Sequence, residues 1–192
     1  MCHIHNNKEM TVCTFLAEGY EEVEALSVVD VLRRSKIEVK IVSVTGDYMV
    51  LSSRGVTLKA DALFNEVDYS NVDGIFLPGG LPGADNLYEY EPLRKLITEF
   101  NNQGKRLAAV CAAPGVYGKM GLLKGKKATC YPGHEDKLIG ADYVKDRVVT
   151  DGNITTSRGL GTSLELGLEL VRLLKGSEEM EALAKRIQFV TD

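Results

Sequence analysis

The sequence lacks the cysteine pairs that a zinc site or a disulfide framework requires. Its 4 cysteines stand at positions 2, 13, 111 and 130, too sparse and too far apart for either use. The first residues lack the apolar core of a secretory signal, and no apolar run approaches the roughly 18 residues of a membrane span. We therefore expect a cytoplasmic protein that enters no membrane and holds neither a metal nor a cofactor.

The sequence also lacks an excess of charge of one sign. It has 27 acidic and 23 basic residues, a net charge of -4 and a pI near 5.5, and this balance gives no sign of specific nucleic-acid binding. No repeat, low-complexity tract or linker divides the 192 residues. We expect a loosely organised segment over 1–10 and a single domain over 11–192.

Short apolar runs alternate with longer helical stretches, which is typical of an α/β fold with a mostly parallel sheet and helices on both faces. The predicted strands are Thr11–Leu16, Val39–Val44, Gly74–Leu77, Arg106–Val110 and Asn153–Thr156. The predicted helices are Glu22–Arg34, Pro92–Gln103, Pro114–Met120, Thr162–Leu174 and Glu178–Arg186. The segment 49–63 differs, because two short strand patterns flank a turn at 52–55, and it predicts a hairpin at the sheet edge.

The neighbours of Cys111 predict a tight turn between a strand and a helix. In RLAAVCAAPG an apolar run leads into Cys111, small residues follow, and Pro114 suits the first turn of a helix. Active sites of open α/β sheets lie at the carboxyl ends of the strands, where N–H groups and a helix dipole favour a thiolate. The pattern predicts a reactive thiol with a lowered pKa, although a buried structural cysteine fits the same residues.

Glu24 stands in an acidic segment but follows the apolar spacing of a helix. In AEGYEEVEAL, Glu21 and Glu22 suit a first helical turn, where acidic side chains complement the dipole. Glu24 shares the periodicity of Leu26 and Val28, so it can point inward at the carboxyl end of the sheet. A buried carboxyl group tends to keep its proton and can donate a hydrogen bond to a thiolate. The alternative is an ordinary solvated glutamate.

The segment IFLPGGLPGADNL places two glycines directly after a predicted strand. Gly79 and Gly80 expose backbone N–H groups that can form an oxyanion hole, although the same residues also suit an ordinary turn. Their spacing matches neither the dinucleotide-binding fingerprint nor the phosphate-binding loop of nucleotide hydrolases.

The histidines are weaker candidates. His134 is the only one in the body of the chain, and it can act as a general base if its loop folds over Cys111; a solvent-exposed position is the alternative. His3 and His5 beside Cys2 could ligate a metal, but a loosely organised terminus is the simpler interpretation.

Together these segments resemble the DJ-1/ThiJ/PfpI superfamily, in the branch of the parkinsonism-associated protein deglycase and its bacterial relatives. The resemblance runs from Thr11 to the C-terminal helix through AEGYEEVEAL, DVLRRSKIEV, SSRGV, LPGGLPGADNL, AAVCAAPG and TSRGLGTSLELGLELV, in family order and spacing. It implies a flavodoxin-like three-layer sandwich, usually a homodimer, with the helix over 22–34 as a dimer surface. It also implies that Cys111 is the nucleophile and Glu24 the protonated acid beside it, with the N–H groups of Gly80 and Ala112 near an oxyanion.

Other positions are either weaker matches or departures from the family pattern. Arg34 and Arg54 match family arginines near the dimer interface and the approach to the site, where they could accept an anion. The position of the pocket histidine in the best-known members is Tyr131 here, with His134 three residues later, which weakens the expectation of a cysteine–histidine dyad. In the peptidase-like branch a histidine follows the nucleophile, but Ala112 stands there, which argues against proteolysis.

The resemblance implies chemistry on small reactive carbonyls. Cys111 would add to an α-oxoaldehyde such as methylglyoxal, and the adduct would rearrange and be hydrolysed to a hydroxy acid while Glu24 moves the protons. The free aldehyde and a glycated protein or nucleotide both fit as substrates. The alternative is redox sensing or stress protection, including chaperone-like activity, through oxidation of Cys111. The thiazole-biosynthesis label used for such sequences has no matching thiazole or phosphate site.

Overall fold

The computed structural model of the protein describes residues 10–189. The predicted loose segment 1–10 lies outside that range except for Met10, and His3 and His5 lie outside it too. The strands are β1 (Thr11–Leu16), β2 (Glu38–Ser43), β3 (Met49–Leu51), β4 (Thr57–Lys59), β5 (Ala62–Leu63), β6 (Gly74–Leu77), β7 (Arg106–Val110), β8 (Lys127–Ala128), β9 (Asp142–Tyr143), β10 (Val148–Asp151) and β11 (Ile154–Ser157). The α-helices are α1 (Glu22–Arg34), α2 (Gly83–Glu89), α3 (Glu91–Asn102), α4 (Pro114–Lys119), α5 (Ser163–Lys175) and α6 (Ser177–Arg186).

One seven-stranded sheet, in the order β10-β11-β7-β6-β1-β2-β5, forms the centre of the fold. Neighbouring strands in it are parallel except β10 and β11, which pair antiparallel. All the strands predicted for the central sheet belong to it, and helices cover both faces. The predicted α/β class with a mostly parallel central sheet is therefore confirmed.

Each face of the sheet has its own apolar core, because alternate residues of a strand point to opposite faces. Phe15 and Leu77 belong to the core covered by α2, α3 and α4, whereas Leu16 and Phe76 belong to the core covered by α1, α5 and α6. All four side chains are fully buried, and burial of one such side chain contributes about 1.5–3 kcal/mol. The sheet is thus a well-packed support for the loops at its carboxyl end.

The hairpin over 49–63 forms, but it stands apart from the main sheet. β3 and β4 pair as a separate antiparallel sheet, and only β5 joins the main sheet, beside β2. The hairpin is bonded to the loop after β1 through Gly19 N–H to Leu51 O at 2.9 Å and Ser53 N–H to Tyr20 O at 2.7 Å.

The antiparallel pair at the main sheet edge is β10 with β11. The sequence pattern misses β10, because most of its residues are only half-buried.

Four loops converge at one edge of the sheet, since β1, β6, β7 and β11 are parallel neighbours whose carboxyl ends meet there. These loops span residues 17–21, 78–82, 111–113 and 158–162, and the last of them contains a short 3-10 helix, Leu160–Thr162. Among residues 10–189 no helix has both the length and the apolar character needed to cross a membrane. Within the same range, no group of three His, Cys, Asp or Glu side chains could hold a metal ion. The cytoplasmic location stays a prediction.

Candidate active site

Cys111 lies in the turn between β7 and α4 with a strained backbone. Its φ of 63° is a left-handed conformation that costs a residue with a Cβ about 1–3 kcal/mol. Neighbouring backbone holds it there, because its N–H donates to Ser157 O at 3.0 Å and its carbonyl accepts the Tyr131 N–H at 2.9 Å. The Cys111 side chain is partly exposed, whereas Cys13 and Cys130 are buried. Strain of this kind concentrates at functional sites, which makes Cys111 the candidate nucleophile.

Glu24 lies in the first turn of α1, and its side chain is buried beside Cys111. The residue is 2% exposed, and its Oε2 accepts the N–H of Gly79 at 2.9 Å. Its carboxyl group is hydrogen-bonded to the Cys111 side chain and accepts a further bond from the backbone of Leu160. Glu24 is therefore a buried acid and not a solvated surface glutamate.

The pKa of Glu24 is shifted to near neutrality. Burial, with a smaller contribution from repulsion by Glu21, raises it from 4.5 to about 7, although the hydrogen bonds from Cys111, Gly79 and Leu160 act in the opposite direction. A carboxyl group with such a pKa carries its proton in about half of the molecules at neutral pH. Glu24 can therefore both donate and accept a proton under ordinary conditions.

The pKa of Cys111 depends on the charge of Glu24. Burial, followed by repulsion from an ionised Glu24 and the hydrogen bond to it, raises the pKa of the thiol to about 12, although the N–H groups of Gly80 and Ala112 act to lower it. The turn between strand and helix by itself predicts a lowered pKa for Cys111. That prediction is wrong when Glu24 is ionised, because burial and the neighbouring negative charge outweigh the backbone donors. When Glu24 carries the proton, the repulsion disappears and the carboxyl O–H can donate to the sulfur, which favours the thiolate.

Gly79 and Gly80 bring backbone against the pair at a distance that no side chain permits. A Cβ on Gly79 would lie 2.5 Å from Glu24 Oε2 and 2.6 Å from Cys111 Cβ. Gly80 has a φ of 90°, in the left-handed region that favours glycine. The Gly80 N–H therefore reaches the sulfur, as does that of Ala112. Two backbone donors at one sulfur can stabilise an oxyanion on a carbon bonded to it.

Tyr131 and His134 lie beside the site, in the segment after β8. The Tyr131 ring is half-exposed and adjoins Gly159, where a Cβ would lie 3.3 Å from Tyr131 Cδ2. His134 meets that ring edge-on, with centroids 6.0 Å apart, and its buried Nδ1 has no hydrogen-bond partner among the described residues. The largest influences on the Cys111 pKa do not include His134. Among the described residues, no hydrogen bond therefore joins the side chains of Cys111 and His134.

The two predicted accessory arginines lie in different places. Arg34 is at the end of α1, ten residues after Glu24 or about 15 Å along the helix axis, and its guanidinium pairs with Asp30 at 2.6 Å. Arg54 is exposed in the hairpin turn, next to Ser53, whose N–H is bonded to the loop after β1. Arg54 is therefore close to the loop that leads into α1, whereas Arg34 is at the far end of that helix.

Sequence reasoning misses three groups that hold the pair in place. The sequence predicts only that Glu21 complements the helix dipole, but its Oε2 accepts the N–H of Glu24 at 2.6 Å. An acceptor three residues before a buried helical residue is a signal that could have suggested this cap. The other two groups are the carbonyl of Ser157 and the N–H of Leu160. Both belong to the backbone, which side-chain patterns do not reveal.

The class of the protein follows from comparison with known families. Residues 10–173 match the model of the DJ-1/PfpI family, a range that includes every strand of the sheet and both Glu24 and Cys111. The chain belongs to the DJ-1/PfpI family. The resemblance inferred from the sequence motifs is thereby confirmed.

Particular relatives show the extent of the similarity. Protein DJ-1 homolog B of Arabidopsis thaliana is 43% identical over 166 residues, which cover 85% of this chain but only 38% of the plant protein. A deglycase of Pyrococcus abyssi is 31% identical over 168 residues, which cover 86% of this chain and 100% of that protein. The solved structure of oxidized Toxoplasma gondii DJ-1 has a TM-score of 0.90 and 36% identity, covering 93% of this chain and 98% of that one.

Proposed function

We propose that this chain is a cysteine-dependent enzyme acting on small α-oxoaldehydes, of the glyoxalase or deglycase type. The observation that carries the proposal is the hydrogen-bonded pair formed by the partly exposed Cys111, at a strained turn, and the buried Glu24. The N–H groups of Gly80 and Ala112 at the same sulfur supply the donors that such a reaction needs. The deglycase name of the Pyrococcus relative agrees with this chemistry.

The first step uses the state in which Glu24 holds the proton and Cys111 is a thiolate. The sulfur adds to the aldehyde carbon of methylglyoxal, so that a C–S bond forms and the carbonyl π pair moves to oxygen. The N–H groups of Gly80 and Ala112 stabilise the developing oxyanion. Glu24 then gives its proton to that oxygen, which leaves a hemithioacetal and a carboxylate.

The next steps convert the hemithioacetal into a hydroxy acid. The Glu24 carboxylate removes the proton from the carbon bonded to sulfur, and the resulting enediol is reprotonated at the adjacent carbon to give a thioester. Water hydrolyses the thioester, which releases lactate and restores the Cys111 thiol. Methylglyoxal and one water thus become lactate with no net oxidation or reduction. A pKa near 7 suits Glu24 to take and return a proton in each cycle.

An assay of lactate formed from methylglyoxal tests the proposal. We expect Cys111→Ser to lower the rate by at least about a hundredfold, while the matched variant Cys13→Ser, at a buried thiol within β1, keeps the wild-type rate. Equal rates for the wild type and Cys111→Ser would eliminate the proposal. The same variants, assayed on methylglyoxal-treated protein and nucleotide, separate a glycated substrate from the free aldehyde.

Redox sensing is a second candidate function, favoured by the partial exposure of Cys111. An accessible thiolate oxidises to sulfenic and then sulfinic acid, and a protonated Glu24 can donate a hydrogen bond to the sulfinate. The Toxoplasma relative of similar structure is described as oxidized. Mass analysis after mild peroxide treatment tests this function: two oxygen atoms gained on Cys111 support it, and none gained counts against it.

A further inference from the structure

Glu21 makes hydrogen bonds both to the backbone of Glu24 and to Gly79, the loop residue that itself binds the Glu24 carboxyl group. Its side-chain Oε2 accepts the N–H of Glu24 at 2.6 Å, and its own N–H donates to the carbonyl of Gly79 at 2.9 Å. Gly79 in turn donates its N–H to Glu24 Oε2 at 2.9 Å. These hydrogen bonds close a ring through Glu21, Glu24 and Gly79.

The ring connects the acid to the loop that carries an oxyanion donor. Gly80 follows Gly79 directly, and a Cβ on Gly80 would lie only 2.5 Å from the Glu21 nitrogen. A displacement of Glu21 would therefore displace both the Glu24 backbone and the Gly80 N–H. We propose that Glu21 is a positioning residue of this site, which fixes Glu24 and the Gly79–Gly80 loop relative to each other. The inference rests on the proposed function, in which Glu24 delivers a proton beside the Cys111 sulfur.

The negative charge of Glu21 favours a protonated Glu24, in addition to the hydrogen bonds by which Glu21 positions that residue. The groups that face Glu24 are Glu21 on its own helix, Cys111 from the β7–α4 turn, and the N–H groups of Gly79 and Leu160. Repulsion by Glu21 raises the pKa of Glu24, whereas the largest influences on the pKa of Cys111 do not include Glu21. Removal of this charge should therefore move the shared proton from Glu24 towards the sulfur and lower the fraction of Cys111 that is present as thiolate.

The rate of Cys111 alkylation by iodoacetamide across a pH series measures that thiolate. Glu21→Gln keeps an acceptor oxygen but loses the charge, and we expect alkylation at neutral pH to slow about threefold, as for half a pKa unit. Glu21→Asp keeps both the charge and a good helix cap and should restore the wild-type profile. Glu22→Gln is the matched control, because Glu22 lies in the same helical turn and its Oε2 has no hydrogen-bond partner within residues 10–189.

Glu21→Ala removes the acceptor as well as the charge, so it should slow alkylation more than Glu21→Gln does. A wild-type pH profile for Glu21→Gln would overturn the inference, as would an equal slowing by Glu22→Gln. If Glu21→Ala does not fold, the comparison of Glu21→Gln with Glu21→Asp still shows whether the charge of Glu21 controls the alkylation of Cys111. Alkylation needs no turnover, so a wild type that makes no lactate would end the proposed function while this comparison still tests Glu21.

Discussion

The N–H of Gly79 donates to Oε2 of Glu24 at 2.9 Å, although the two residues are 55 positions apart in the chain. The bond joins the loop after β6 to the first turn of α1 at the point where both meet Cys111. Because it is buried, loss of one partner would leave a polar group unpaired at a cost of about 1–3 kcal/mol. The site therefore depends on the backbone at Gly79 as much as on its two reactive side chains.

We expect Gly79→Ala to inactivate the site. The added Cβ would lie 2.5 Å from Glu24 Oε2, 2.6 Å from Cys111 Cβ and 2.9 Å from Val110 O, so these groups must move apart. A misplacement of about 1 Å can lower a rate about a hundredfold, which a lactate assay would show, and urea unfolding should reveal a loss of about 1–3 kcal/mol. Gly161→Ala is the control, since no atom of the described part of the chain would lie within 4 Å of a Cβ there. A fully active Gly79→Ala enzyme would contradict this account.

Glu24→Gln should change the pH profile of Cys111 alkylation. The wild-type pair has an ionisation of Glu24 at about 7, and the resulting carboxylate raises the pKa of Cys111. Glutamine carries no charge, so the step near 7 should disappear and the thiol pKa should fall. Lactate formation should nevertheless drop about a hundredfold or more, because an amide does not transfer the proton. Glu22→Gln again serves as the control, and a profile of the Glu24→Gln variant that keeps the step near 7 would remove Glu24 from the mechanism.

Central strands were predictable because they are buried on both faces. Gly74–Leu77 is buried throughout, so its sequence is a continuous apolar run of the kind that parallel sheets require.

The helix Gly83–Glu89 is not predicted, because GADNLYE begins with glycine and contains turn-forming residues. It forms because Leu87 enters the core and Gly83 packs so closely that a Cβ would lie 2.5 Å from Tyr20 N. Tertiary packing here overrides local propensity.

Helical spacing alone left the position of Glu24 open, because an inward side chain and an ordinary solvated glutamate both fit it. The resemblance to the family favoured the inward position, and the side chain is buried. The direction of the Cys111 pKa shift depends on burial and on a carboxyl group brought from another part of the chain, which the residues around Cys111 do not reveal. The surroundings of His134 depend on how the segment after β8 folds against the Tyr131 ring, and no local pattern encodes that contact.

Cys111 should be the first of the described cysteines to react in the folded protein. Burial raises the pKa of Cys13 to about 12 and that of Cys130 to about 11, and the pKa of Cys111 is raised to about 12 as well, so the three thiols differ in their accessibility and in their neighbours. Cys13 and Cys130 are both 0% exposed, whereas Cys111 is partly exposed and has a proton-accepting neighbour in Glu24. Peptide mapping after brief iodoacetamide treatment, in a Cys2→Ser background, should find the label on Cys111 alone. The others should react once urea unfolds the chain, and equally fast labelling of Cys13 in the folded state would refute the prediction.

The exposed apolar side chains of α1 support the prediction of a homodimer. Val23 and Leu26 are 44% and 39% exposed and lie three positions apart, on one face of the helix. We expect Leu26→Lys to raise the dissociation constant of the dimer at least about tenfold, as measured by light scattering over a dilution series. Ile139→Lys is the matched control, because Ile139 is 56% exposed and lies outside α1. A wild-type protein that is monomeric at every concentration would count against the dimer.

The raised pKa of Glu24 predicts a decrease in stability with rising pH. The pKa is 4.5 for an unperturbed carboxyl group and about 7 in the folded protein, so between these values the folded state binds the proton more tightly. The contribution of Glu24 is therefore complete below pH 4.5 and is lost as the pH rises through 7. The loss is about 3 kcal/mol at most. Glu24→Gln does not titrate, so its free energy of unfolding relative to the wild type should rise by up to that amount between pH 4.5 and a pH above 7. Urea unfolding of both proteins at the two pH values would show it, with Glu22→Gln for comparison. A difference independent of pH would mean that the folded protein does not raise the pKa of Glu24.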